Sequence, residues 1–207
     1  MLGVFSIIVL IFSVILHEVS HGYVAERLGD PTARNLGRLT LNPLKHIDPI
    51  GSIFLPLMLY YLTNGGFVFG WAKPVPFDPR YLRNPRRDAG LIAAAGPITN
   101  LTLAAVFGFI VRGMIATGSG DSALTLLLYL VVGINVGLAI FNLVPIPPLD
   151  GSKVLYALLP FGETSLKVAM FLEQYGLIFL GLFLLWGSSL ISPIIRIITG
   201  FLTGVAL

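Results

Sequence analysis

The fold turns on one stretch, Leu2-Gly3-Val4-Phe5-Ser6-Ile7-Ile8-Val9-Leu10-Ile11-Phe12-Ser13-Val14-Ile15-Leu16-His17-Glu18-Val19-Ser20-His21. From Leu2 to Leu16 there is no charge, and the only polar side chains are Ser6 and Ser13. The run then enters, without a break, an HExxH pattern of two imidazoles and a carboxylate. Lipid penalises such groups by several kcal/mol unless they are paired, solvated or bound to a metal. An ionisable cluster at this depth therefore marks a functional site.

Outward from that stretch, composition sets the class. Of 207 residues, 56% are hydrophobic and only 11% charged, and mean hydropathy is +0.89. Soluble domains carry about 25% charged residues, so the sequence predicts an all-α polytopic membrane protein forming a single domain over residues 1–207. There are no cysteines, which removes disulfides and thiolate-held metals. Any metal must be held by the three histidines (His17, His21, His46), the ten acids or water. The pI near 9.3 does not point to nucleic acid, because the basic residues fall in short loops beside apolar segments, where orientation signals lie. Residues 2–16 lack a basic leading region and a cleavage site, so they do not read as a signal peptide.

The segments predict about four to six membrane helices. The first runs from Leu2 to Leu28 and stops at Gly29-Asp30-Pro31; at 1.5 Å per residue it is about 40 Å long, enough for a ~30 Å core. Arg27, Arg34, Arg38 and Lys45 follow at once, which places that end in the cytoplasm and the N-terminus outside. Ile50 to Leu62 makes only about 20 Å of helix, short of a span. A second basic loop with Lys73, Arg80, Arg83, Arg86 and Arg87 follows it, so a re-entrant or interfacial helix keeps both loops on one side. Between them, Gly66 to Pro76 alternates weakly and carries prolines, which fits an edge strand, an extended hairpin or a plain loop. Ala89–Val111 and Ala123–Val144 read as spans, Ser152–Gln174 as a helix lying at the interface, and Gly176–Leu190 as a further span.

Residues i and i+4 of a helix lie about 40° apart on one face, one turn up. His17 and His21 can thus offer two imidazoles to one ion. Glu18 projects beside them, free to take a proton from a zinc-bound water rather than ligate, as in metalloproteases. A catalytic zinc has three protein ligands plus water. The third must come from another segment: His46 is one candidate, in the loop Asn42 to Pro49, and Asp150 is better placed, at the end of a span after a rigid proline run. A bare turn Asp-Gly is the alternative reading of Asp150.

HExxH at 17–21 together with Asn142-Leu143-Val144-Pro145-Ile146-Pro147-Pro148-Leu149-Asp150-Gly151 resembles the site-2 protease family of intramembrane zinc metalloproteases, whose pattern pairs HExxH with N-x-x-P-x-x-x-L-D-G on a later span. The resemblance implies one zinc ion held by His17, His21 and Asp150, with Glu18 as catalytic base. It implies a polar role near the scissile peptide for Asn142. Gly96-Pro97-Ile98-Thr99-Asn100 is similar to the family's G-x-x-x-N, which puts Asn100 close to the active centre; close helix packing at Gly96 and interhelical bonding by Asn100 explain the same residues. The chain looks like a minimal form, with no span before the HExxH helix and no PDZ or CBS domain.

The expected activity is therefore endoproteolysis of transmembrane protein substrates near the cytoplasmic leaflet of the cell membrane. Phe67–Val75 would pair with an unwound substrate by β-addition. A zinc-binding membrane protein without protease activity is the alternative, as a carrier or an inactive homologue. Few polar groups line the outer half of the first helix for a carrier path, and Glu18 has no use in a mere binder.

Overall fold

The computed structural model describes residues 2–64 and 70–205. Among them every regular element is helical. Four helices are long and apolar enough to cross a membrane: α1 (Leu2–Arg27), α4 (Pro85–Ala116), α5 (Ala123–Asn142) and α7 (Glu163–Trp186). Shorter pieces complete the chain: α2 (Thr32–Asn35), α3 (Leu55–Leu62), α6 (Asp150–Leu158) and α8 (Ser188–Thr203). The chain is a multi-pass membrane protein. Its outward surface agrees: Val4, Ile7, Ile8, Leu10, Ile11 and Phe12 of α1 are all exposed, a band that lipid covers and water would not.

α4 is the centre, packing against α1, α5, α6 and α8, while α1 and α5 also touch each other. Lipid tails are as apolar as leucine, so helices in a membrane associate by close packing of small residues and by buried polar bonds rather than by the hydrophobic effect. Both devices are present. Ala104 of α4 meets Val132 and Val136 of α5, with Ile195, Ile198 and Leu202 of α8 against them. At Gly108 a Cβ would stand 2.8 Å from the Leu202 Cβ, so α8 lies down on α4 only because position 108 has no side chain.

Residues 50–62, expected as a re-entrant or interfacial helix, form a short apolar helix, a π-helical stretch Pro49–Phe54 running into α3. Asp48 starts it by accepting from the Ile50 and Gly51 amides. Of the stretch read as strand, hairpin or loop, residues 65–69 lie outside the described residues. Gly70–Asp78 is irregular and extended, with no strand partner among the described residues. The Lys73 amide donates to His46 O, Arg38 donates to Lys73 O and Pro74 O, and the Val75 amide donates to Glu18. The backbone groups that β-addition would use at Lys73 and Val75 are thus already bonded.

One expectation is corrected. Ser152–Gln174 is not one interfacial helix. The chain breaks at Leu159-Pro160-Phe161-Gly162, and residues 163–174 belong to α7, continuous with the apolar run after Gly176. Pro160 has no N–H to continue α6, and Arg86 takes up the carbonyls left open there, donating to Tyr156 O at 2.7 Å and to Leu159 O at 2.5 Å. The scattered charges that suggested an interfacial face are spread over two helices.

Candidate metal centre

Near the basic end of α1, His17 and His21 stand one turn apart, with ring centroids 4.7 Å from each other and planes at 89°. α6 opposes them with its first residue. Asp150 Oδ2 lies 3.0 Å from His17 Nε2 and 3.3 Å from His21 Nε2. The three residues are 5%, 8% and 9% exposed, and their ligand atoms all fall within 4.8 Å of one another. Gly151 explains why Asp150 arrives there: a Cβ at 151 would stand 2.2 Å from Leu143 O and 2.5 Å from Val144 O. Only glycine lets the first turn of α6 fold back onto the end of α5.

Two features test whether this trio fits a metal. Ligands about 2.0–2.1 Å from a tetrahedral zinc sit roughly 3.3 Å apart, close to the 3.0 and 3.3 Å separations to Asp150. Protonation agrees. His21 Nδ1 lies 2.7 Å from the Ile92 carbonyl oxygen, which can only accept, so Nδ1 carries the hydrogen, and the neutral ring offers its Nε2 lone pair on the Asp150 side. A cation, proton or metal, placed between that nitrogen and the carboxylate would bind both. The donor set, two imidazoles and a carboxylate with no thiolate, suits zinc.

His17 Nδ1 is 2.6 Å from Asn100 Oδ1, so Asn100 lies against His17 and also bonds across to α1 and α5. Gly96 is where α4 meets the His17 ring, and a Cβ there would come within 2.5 Å of both Cε1 and Nε2. The ring is clamped between Asn100 and Asp150 and cannot retreat. Gly96→Ala should therefore weaken zinc binding about tenfold, within the ~1–3 kcal/mol typical of overpacking, as read by competition with a chromogenic chelator.

Glu18 Oε2 accepts the Val75 amide at 2.9 Å. The strap around Val75 is fixed on both sides, by the buried Arg38 on Lys73 O and Pro74 O and by the buried Asp30, which accepts the Asp78 amide at 2.7 Å. The Arg80 side chain, bonded to Asp78, holds that partly buried carboxyl below its ordinary pKa. The strap thus orients Glu18. Val75→Pro removes the donor and should cut cleavage about tenfold, on the scale of a charged hydrogen bond of ~1.5–3 kcal/mol, with zinc content unchanged in metal analysis of the purified variant.

The other predicted residues are elsewhere. Asn142 donates to Leu138 O of its own helix at 3.0 Å and joins no contact with the trio. His46 is buried in its loop, Nε2 2.8 Å from Thr40 O, away from the ligand group. Sequence reading missed Asn135, Ser13 as a partner, the Ile92 carbonyl and the Val75 amide. Asn135 carried a usable signal, an amide in the interior of an apolar span; the backbone groups carried none.

The description of peptidase family M50 matches residues 5–118 and 110–183. The chain belongs to peptidase family M50. This is the site-2 protease family that the motifs resemble, and its members act on peptides. YwhC of Bacillus subtilis (strain 168), a zinc metalloprotease by name, is 37% identical over 93% of this chain and 86% of its own length. Rip2 of Mycolicibacterium smegmatis, likewise so named, is 33% identical over 72% of this chain and 56% of its own length. MJ0611 of Methanocaldococcus jannaschii, again so named, is 49% identical over 33% of this chain and 34% of its own length. No solved structure matches significantly. The chain is thus a zinc metalloprotease of this family, with His17, His21 and Asp150 as a group that can bind the metal.

Proposed function

We propose that this M50 metalloprotease cleaves transmembrane segments of other proteins, near the cytoplasmic leaflet of the cell membrane. The observation that carries the proposal is the convergence of His17, His21 and Asp150, with Glu18 beside them, on a helix long and apolar enough to span. His17, His21 and Asp150 would hold one zinc ion, and Glu18 is the catalytic base. When bound, zinc supplies Lewis acidity, polarising a carbonyl and making a water acidic enough to attack at neutral pH. Glu18 takes the proton of the attacking water and delivers it to the leaving amine, a base and then an acid at one carboxylate. The Val75 amide keeps that carboxylate pointed.

Orientation follows from charge. Arg27 ends α1 and Arg34, Arg38 and Lys45 follow it, while Lys73, Arg80 and Arg83 precede α4 and Arg86 and Arg87 lie in its first turn, so the site end of α1 faces the cytoplasm and the N-terminus lies outside. Asn100 supports the site through His17, and Asn142 is retained as a lesser candidate for contact with substrate. A helical substrate hides its peptide bonds in its own hydrogen bonds, so it must unwind locally before attack.

The test is reconstitution in proteoliposomes with a labelled single-span substrate, the products being located by mass spectrometry. A cut inside the apolar segment is expected. Cuts confined to the flanking soluble residues would overturn the intramembrane reading, as would none at all.

A further inference from the structure

Beneath the metal ligands a closed chain of side-chain amides runs through α1, α4 and α5. Asn135 is 1% exposed, Asn100 0% and Ser13 4%, in the middle of spans where unpaired amides are costly. Each amide has one fixed orientation. The Asn135 Nδ2 donates to Val131 O at 2.9 Å and to Ser13 Oγ at 3.0 Å. A backbone carbonyl only accepts, so the Asn135 nitrogen must lie on that side and its Oδ1 must face Asn100. The Asn100 Nδ2 donates to that oxygen at 2.9 Å and to Ser13 O at 3.3 Å. This leaves Asn100 Oδ1, again a pure acceptor, 2.6 Å from His17 Nδ1.

We infer that Asn135 is a positioning residue for the metal site: by fixing the Asn100 amide, it holds the His17 hydrogen on Nδ1 and turns the Nε2 lone pair toward Asp150. The inference rests on the zinc-site reading above and goes one layer below it. A neutral imidazole has two tautomers, and only one presents Nε2 as a ligand. Outer partners of this kind set the tautomer and typically change metal affinity 10–100-fold. Without Asn135, the Asn100 nitrogen loses one of its two acceptors. The flipped amide, with nitrogen toward His17, then becomes competitive and draws the hydrogen to Nε2, where it blocks the metal.

The relay makes a prediction that simple packing does not. A carboxylate at position 100 accepts whichever way it turns, so it enforces the Nδ1 hydrogen without help from Asn135. The full chain in detergent is compared as wild type, Asn135→Leu and Asn100→Asp/Asn135→Leu, with Asn135→Ala replacing Asn135→Leu where circular dichroism shows loss of helicity. Zinc affinity comes from competition with a chelator, and the His17 tautomer from nitrogen-15 NMR of the zinc-free protein; neither needs proteolysis, so a failed protease assay leaves this test intact. Asn135→Leu is expected to lower zinc affinity roughly tenfold and to move hydrogen to His17 Nε2, and the double variant to restore both. An unchanged tautomer in Asn135→Leu would overturn the inference. So would a loss of affinity that Asn100→Asp fails to restore, since that is what a merely structural asparagine gives.

Discussion

Glu18→Gln should cut proteolysis by about 10²–10⁴-fold and leave zinc in place. Glutamine has the shape of glutamate and keeps an oxygen to accept the Val75 amide, which Glu18 accepts at 2.9 Å, so the strap and α1 stay as they are. What it lacks is a lone pair basic enough to take a proton from water. General bases contribute about 10²–10⁴-fold to rate, and the loss should fall in that range, measured as initial rates on a labelled membrane substrate. Glu18 is outside the ligand group of His17, His21 and Asp150, so zinc per chain should equal that of the wild type. A variant that cleaves at wild-type rate would move the base to another residue, and one that loses zinc would make Glu18 a ligand.

Asp150→Ala should do the reverse, removing the metal and with it the activity. The carboxylate lies 3.0 and 3.3 Å from the two imidazole nitrogens and supplies the only negative charge in the trio. Zinc sites are worth roughly 10–16 kcal/mol; a third of that is about 3–5 kcal/mol, a loss of affinity between about 10² and 10⁴-fold at 1.4 kcal/mol per decade. Folding should survive, because the close approach of α6 to α5 depends on Gly151 and alanine favours a helix. Zinc measured after dialysis, beside circular dichroism, separates metal loss from unfolding. Retention of zinc at wild-type affinity would exclude Asp150 as a ligand.

Several of these features were legible in the sequence, because they are set by local rules. The i, i+4 spacing of His17 and His21 fixes their common face on any helix, and an apolar run as long as Leu2–Leu16 has few fates besides a membrane. Asp150 was legible from its place after a proline run at the end of a span. What the chain concealed was set by tertiary packing. The Ile92 carbonyl and the Val75 amide are backbone groups that any residue would supply, so no letter in the sequence marks them. Asn135 was visible as a polar residue in α5, but its partners Ser13 and Asn100 are distant in the chain and meet only once α1, α4 and α5 pack. The break at Pro160 was misread for a different reason: Lys153, Glu163, Lys167 and Glu173 mixed with apolar residues suggested one interfacial helix, whereas Pro160, which has no N–H, ends α6.

X-ray absorption at the zinc edge, on protein purified in detergent, tests whether α1 and α6 together hold a single zinc ion. The prediction is one zinc per chain with two imidazole nitrogens and carboxylate oxygen in its shell, and loss of that signal in both His21→Ala and Asp150→Ala. Absence of zinc from the wild type, or a zinc shell unchanged by these substitutions, would show that these residues do not hold it.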